Sequence, residues 1–174
     1  MSLRASAALL ALIGLLGWAA PLRAAELTGQ EVVLLQPDAE LRARVPSVDA
    51  YGDYINAQRA GWFELFQATK LPQPTAGFVV LAVRPGQQAR LWLDFDPPLP
   101  PALAQSLQER SRRLMPPVVR GGPVLLALKL SLDGAAWPAK AAPEPAAWRQ
   151  AAALMGQAVD VADVVQLIWD RPSP

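Results

Sequence analysis

The chain has 174 residues, enough for one domain with a hydrophobic core of its own, and its 16 basic and 15 acidic side chains leave a net charge of +1. That near-neutral balance supplies no positive field for sequence-independent nucleic-acid binding. With no cysteine and no histidine, the chain lacks a disulfide staple, a Ser-His-Asp or Cys-His nucleophile and the usual zinc ligands, so neither a metal nor a cofactor is expected.

Residues 1–25 open with Arg4, continue through the apolar run Ala7 to Ala20 and end in Pro21-Leu22-Arg23-Ala24-Ala25. A charged start, an apolar core and a small-residue exit form the pattern of a secretory signal peptide, here with cleavage near Ala24 or Ala25. The apolar run is about 14 residues, short of the roughly 20 that span a bilayer. The expected product is a periplasmic or secreted protein without a membrane span, in which loss of Arg4 and Arg23 leaves 14 basic against 15 acidic residues, a net of −1. Residues 26–174 are expected to form a single α+β domain, with a core over 47–134 and a C-terminal cap over 135–170.

The run Glu31-Val32-Val33-Leu34-Leu35, ended by Pro37 and Asp38, reads as a short edge strand or an ordered lead-in. From Ser47 to Lys70, Tyr51, Tyr54, Ile55, Trp62, Leu65 and Phe66 recur at three- and four-residue steps. That spacing predicts an amphipathic helix, with Ser47 or Asp49 as its cap and Leu71-Pro72-Gln73-Pro74 as its stop. The aromatic stripe reads first as core and second as a sugar or peptide platform.

Gly77 to Val83 is a valine-rich apolar run, followed by Arg84-Pro85-Gly86, whose Pro-Gly pair suits the centre of a type II turn. The next strand, Ala89 to Asp96, alternates. Ala89, Leu91, Leu93 and Phe95 share one face, and Arg90, Trp92, Asp94 and Asp96 the other. Pro97-Pro98-Leu99-Pro100-Pro101 ends it and starts a helix, since proline is accepted at the first helical position. Leu103, Leu107 and Leu114 mark the apolar stripe of that helix, and Met115-Pro116-Pro117 stops it. Val124 to Leu132 alternates again, with Leu126, Leu128 and Leu130 on one face and Leu125, Ala127, Lys129 and Ser131 on the other. A helix follows from Pro145 to Ala158. Val161 to Trp169 fits either a fourth strand, given its β-branched content, or a further helix.

Several constellations bear on chemistry. Asp94 and Asp96 stand about 7 Å apart along one strand face by strand rise. Paired carboxylates are what a glycan-directed hydrolase needs, and oxygen ligands also suit a cation. The simpler reading is a solvated strand face with Arg90 as a charge partner, since two carboxylates on one exposed strand are common. Arg110, Arg112 and Arg113, with Arg120, make a basic patch that suits an acidic partner, a phosphate or a lipid headgroup, or else is a solvated helix end. No Ser-x-x-Lys frame supports a serine–lysine nucleophile in the mature chain. Gly121-Gly122-Pro123 precedes a strand rather than a helix, so it lacks the helix N-terminus of a phosphate loop. Trp92, on the polar face of its strand, is either covered by a helix or an exposed anchor.

The succession Gly77-Phe78-Val79-Val80, a hairpin, a proline-started helix, then Pro116-Pro117 and Gly122-Pro123-Val124 resembles the C-terminal domain of TonB-type energy transducers. The resemblance covers residues 77–134 and extends to the layout, since the chain lacks the uncleaved anchor and the long Glu-Pro/Lys-Pro spacer. It implies a ββαβ module that grips a partner's strand by edge pairing. The expectation is therefore a small antiparallel sheet of three or four strands packed on helices. Its function would be that of a non-enzymatic binding module of the cell envelope, taking another envelope protein or a peptide through Arg90, Trp92, Asp94, Asp96, Arg110, Arg112 and Arg113. The alternative is a carboxylate-dependent hydrolase using Asp94 and Asp96.

Overall fold

A computed structural model describes residues 25–156 and 160–169. The expected export segment, apart from Ala25, lies outside the described residues, as does the C-terminal tail from Asp170. The sheet is built on two strands that are apolar on both faces. In β2 (Thr75–Arg84) every residue before Arg84 is buried, and in β4 (Val124–Leu132) all are. Strands of this kind belong in the middle of a sheet with cover on each side. They pair with each other and are flanked by β1 (Leu27–Leu34) and β3 (Gln88–Asp96), giving the antiparallel order β1-β4-β2-β3.

The β2–β3 hairpin closes at Arg84↔Gln88 around Pro85-Gly86-Gln87. Gly86 has φ 87, as the second central position of a type II turn requires, and Gln87 follows at φ 54. Gly77 is fixed by a close approach, because a Cβ there would collide with the backbone of Asp94 and Phe95. The register sets Leu81 against Leu91 and Leu126, and Val79 against Leu93 and Leu128. These residues meet α2 (Val48–Ala68) and α3 (Pro101–Arg112) in the larger core. The Ser47 hydroxyl caps α2 by accepting the Ala50 N–H at 3.2 Å. Between the helices, Trp62 donates its Nε1–H to the Ser111 hydroxyl at 2.7 Å, and the fully buried Gln58 donates to the Ser111 carbonyl at 3.0 Å.

The second sheet face is not open, and of the two readings left for Trp92 the covered one holds, against a solvated row. Phe78, Val80, Ala82, Trp92, Leu125 and Ala127 are buried there under α4 (Ala146–Met155) and α5 (Val161–Ile168). Even Lys129 is covered, its ammonium lying 6.0 Å from the Phe78 ring and 5.3 Å from the Trp137 ring. The two-way choice over 161–169 falls to helix. The Asp160 carboxylate accepts the Ala162 N–H at 2.8 Å, and Val164, Val165 and Ile168 turn inward at helical spacing. Gly156, at φ 67, caps α4 after Met155, and the last two residues of the expected helix, 157 and 158, lie outside the described residues.

Two features at the start of the domain exceed the expected short strand. β1 begins at Leu27, with a register shift between Leu27 and Gly29. A short helix α1 (Asp38–Arg44) follows, with acids in its first turn and arginines in its last, joined as Arg42–Asp38 at 2.7 Å and Arg44–Glu40 at 2.5 Å. The whole is a mixed α+β domain with helices on both faces of one four-stranded sheet.

Candidate functional site

Of the seven side chains expected to form a site, β3 carries four, and the two helical layers give them different tasks. Trp92 is 4% exposed. Its indole packs edge-on against Trp148 at 5.6 Å and Trp169 at 6.1 Å between ring centroids, so its first role is to join β3 to α4 and α5. Arg90 lies 5.2 Å above the Trp92 ring and donates to the Ile168 carbonyl at 3.0 Å and to the Trp169 carbonyl. A guanidinium at that place satisfies the open carbonyls of α5 and its negative dipole end.

Asp94 accepts the backbone N–H of Glu144 at 2.7 Å and lies 3.5 Å from the Lys140 ammonium. It therefore ties down the proline-rich segment before α4. Asp96 is exposed at the end of β3. Asp94 is thus engaged by a loop amide and an ammonium, while Asp96 stands free of that loop in solvent. Among the described residues no three acidic side chains gather into a metal-holding group.

The arginines of α3 lie elsewhere. Arg110 crosses Gly61 of α2 and pairs with Glu64 at 3.3 Å. A Cβ on Gly61 would run into its side chain, so this arginine belongs to the α2–α3 contact. Arg112 and Arg113 are exposed at the end of α3, and Arg120 is exposed beyond them. The expected set is thus split. Arg90 and Trp92 are on the α4–α5 side of the sheet, and the α3 arginines are on the other.

What the sequence did not reveal is a cleft along the outer edge of β3, about 340 Å³ in volume. Five consecutive residues of the strand, Leu91 to Phe95, border it. Alternate side chains point to opposite faces, so a run of neighbours lining one cleft means that the strand's edge is open to it. One wall comes from α3 and its approach, through Leu99, Ala104 and Gln108. The other comes from the start of α4, through Ala146, Ala147 and Arg149. Two of the expected residues, Trp92 and Asp94, do line this cleft. The Trp92 Nε1–H is buried without a hydrogen-bond partner, as is that of Trp148, and such groups in a folded interior call for an acceptor. The only advance signal was the position of Trp92 on a strand next to a proline-rich break. That β3 would be an edge strand depended on β1 pairing with β4, which no local pattern states.

No helix among the described residues is long and apolar enough to cross a membrane. The chain matches no protein-family model, no curated protein and no solved structure.

Proposed function

We propose that this is a non-enzymatic binding module of the cell envelope that takes an extended segment of a partner protein along the edge of β3. The observation that carries this reading is the cleft bordered by Leu91 to Phe95 between α3 and α4. An added strand gains main-chain hydrogen bonds from the open edge, while its alternate side chains enter the clefts on each side. The likeness of the ββαβ layout to the TonB-type domain supports edge pairing as its mode of use. Trp92 borders the site, and Arg149 gives its α4 wall a positive charge. The hydrolase alternative gains no support, because Asp94 is already held by Glu144 and Lys140.

Export is part of the same proposal. The Ala25 methyl is buried and its N–H bonds to the Thr69 carbonyl at 3.0 Å, which favours cleavage after Ala24, leaving Ala25 in place. Mass spectrometry of the mature N-terminus in a periplasmic fraction tests this. An intact N-terminus in the cytoplasm contradicts it.

The binding surface is tested by filling it. Ala104 is half-buried and lines the cleft, so Ala104→Trp places an indole where the partner strand would lie. Immobilised wild-type protein is expected to retain a specific envelope partner that the Ala104→Trp protein, folded by circular dichroism, releases. Equal retention by both would refute the site.

A further inference from the structure

The two walls of the cleft along β3 differ in kind, and the difference bears on which segment would lie there. The charged side chains that line the cleft are Asp94 and Arg149. Asp94 is already neutralised, by the Glu144 N–H at 2.7 Å and the Lys140 ammonium at 3.5 Å. Arg149 is exposed on α4 and pairs with no carboxylate among the described residues. The charge left for a ligand is therefore positive, and it stands on the α4 wall alone.

The start of α4 has the same sign. Helices α1, α2 and α5 each carry an acid in the first turn, as Asp38 and Glu40, Asp49 and Asp163 respectively. The helices beside the cleft, α3 and α4, carry none, and each begins after a proline that supplies no side-chain cap. Ala146 and Ala147 of α4 border the cleft, and amides in a first turn have no acceptor within their helix. A carboxylate placed against Arg149 would also meet that uncapped end.

The α3 wall is apolar, made by Pro98, Leu99 and Ala104 with Gln108 beyond them. Helix α3 covers the sheet face of Leu91 and Phe95, and α4 covers the face of Trp92. A strand added to β3 continues the sheet, so its successive side chains turn to α3 and α4 in alternation.

We infer that the segment bound at β3 is acidic towards α4 and apolar towards α3. It sets an aspartate or glutamate against Arg149 and a leucine, valine or phenylalanine against Leu99 and Ala104. The two residues are adjacent or three apart in the partner, because a spacing of two would put both on one wall. This deepens the β3-edge reading and rests on it.

The test selects from a library of random linear peptides displayed on phage, with the mature protein immobilised, and then measures synthetic copies of the winners. Expected winners carry the acid and the apolar residue at that odd spacing. Arg149→Glu should weaken them by about tenfold or more, and changing the acid of a winner to lysine should restore its binding to that variant. Arg149→Gln should weaken them by about threefold at low salt, with the difference fading as salt rises. Arg149 is exposed, so both variants should melt with the wild type. Winners that Ala104→Trp releases overturn this inference, and leave the β3 edge standing, if they lack an acid or bind Arg149→Glu as tightly as wild type. Winners that Ala104→Trp does not release, or no winners at all, overturn both.

Discussion

Replacing Trp92 by alanine separates a structural tryptophan from an exposed anchor. On an open strand face, the loss would leave stability nearly unchanged. In this fold Trp92 is 4% exposed and touches Trp148 and Trp169 edge-on at 5.6 and 6.1 Å. A buried aromatic of this size removes about 150–250 Å² from water, worth about 4–6 kcal/mol as an upper bound at about 25 cal/mol per Å². The two edge contacts add to that, and partial collapse of the cavity subtracts. Measured tryptophan-to-alanine losses in cores run at about 3–5 kcal/mol, and that is the expected loss here. For a domain of this size it corresponds to a fall of about 10–20 °C in melting temperature. Thermal unfolding followed by far-ultraviolet circular dichroism reads it without relying on tryptophan emission. Trp92→Phe, which keeps an aromatic ring between Trp148 and Trp169, should lose less than half as much. A melting temperature within about 3 °C of wild type for Trp92→Ala would refute a second core beneath α4 and α5.

Two other outcomes follow from the same packing. The chain has two tyrosines, and burial raises the pKa of both, with Tyr54 also adding to the shift of Tyr51 and the Gln58 hydrogen bond lowering that of Tyr54. A phenol raised in the folded state favours the protonated form, so its contribution to stability is whole below the unfolded value of about 10 and is lost as pH rises above it. Absorbance at 295 nm should therefore show neither tyrosine half-ionised at pH 10, and ionisation should track alkaline unfolding; a titration centred near 10 in the folded protein would contradict it. Gly77→Ala forces a methyl into the Asp94–Phe95 backbone and should cost about 2 kcal/mol or more, read as a shifted urea midpoint, while an unchanged midpoint would mean that the hairpin can spread without loss.

Much of the fold could be read from the chain because its signals are local. Pro85-Gly86 between two apolar runs fixed the β2–β3 hairpin, and Pro97 to Pro101 and Pro116-Pro117 bracketed α3. The three- and four-residue spacing from Tyr51 to Phe66 gave α2. The second sheet face stayed undecided between covered and solvated because β3 was read by itself. Arg90, Trp92 and Asp94 look like a solvated row, yet their cross-strand partners on β2 are Ala82, Val80 and Phe78. An apolar β2, together with Leu125 and Ala127 on β4, already required cover on that side. The segment 161–169 was undecided because valine suits strands, and only the Asp160 cap and the sheet beneath favour helix. The candidate site was less legible still. A cleft along β3 needs the long-range pairing that makes β3 an edge, which no local pattern states.

The claim that a partner lies along β3 is tested most directly by photo-crosslinking in the living cell, with a benzophenone amino acid placed singly at Gln108, Arg149, Arg112 or Arg113. Gln108 and Arg149 stand on opposite walls of the cleft, and Arg112 and Arg113 lie exposed at the end of α3. The account predicts one common adduct from Gln108 and Arg149, absent when Ala104→Trp is present and absent from the other two positions. An adduct from Arg112 or Arg113 alone would contradict it and return the binding surface to the basic end of α3.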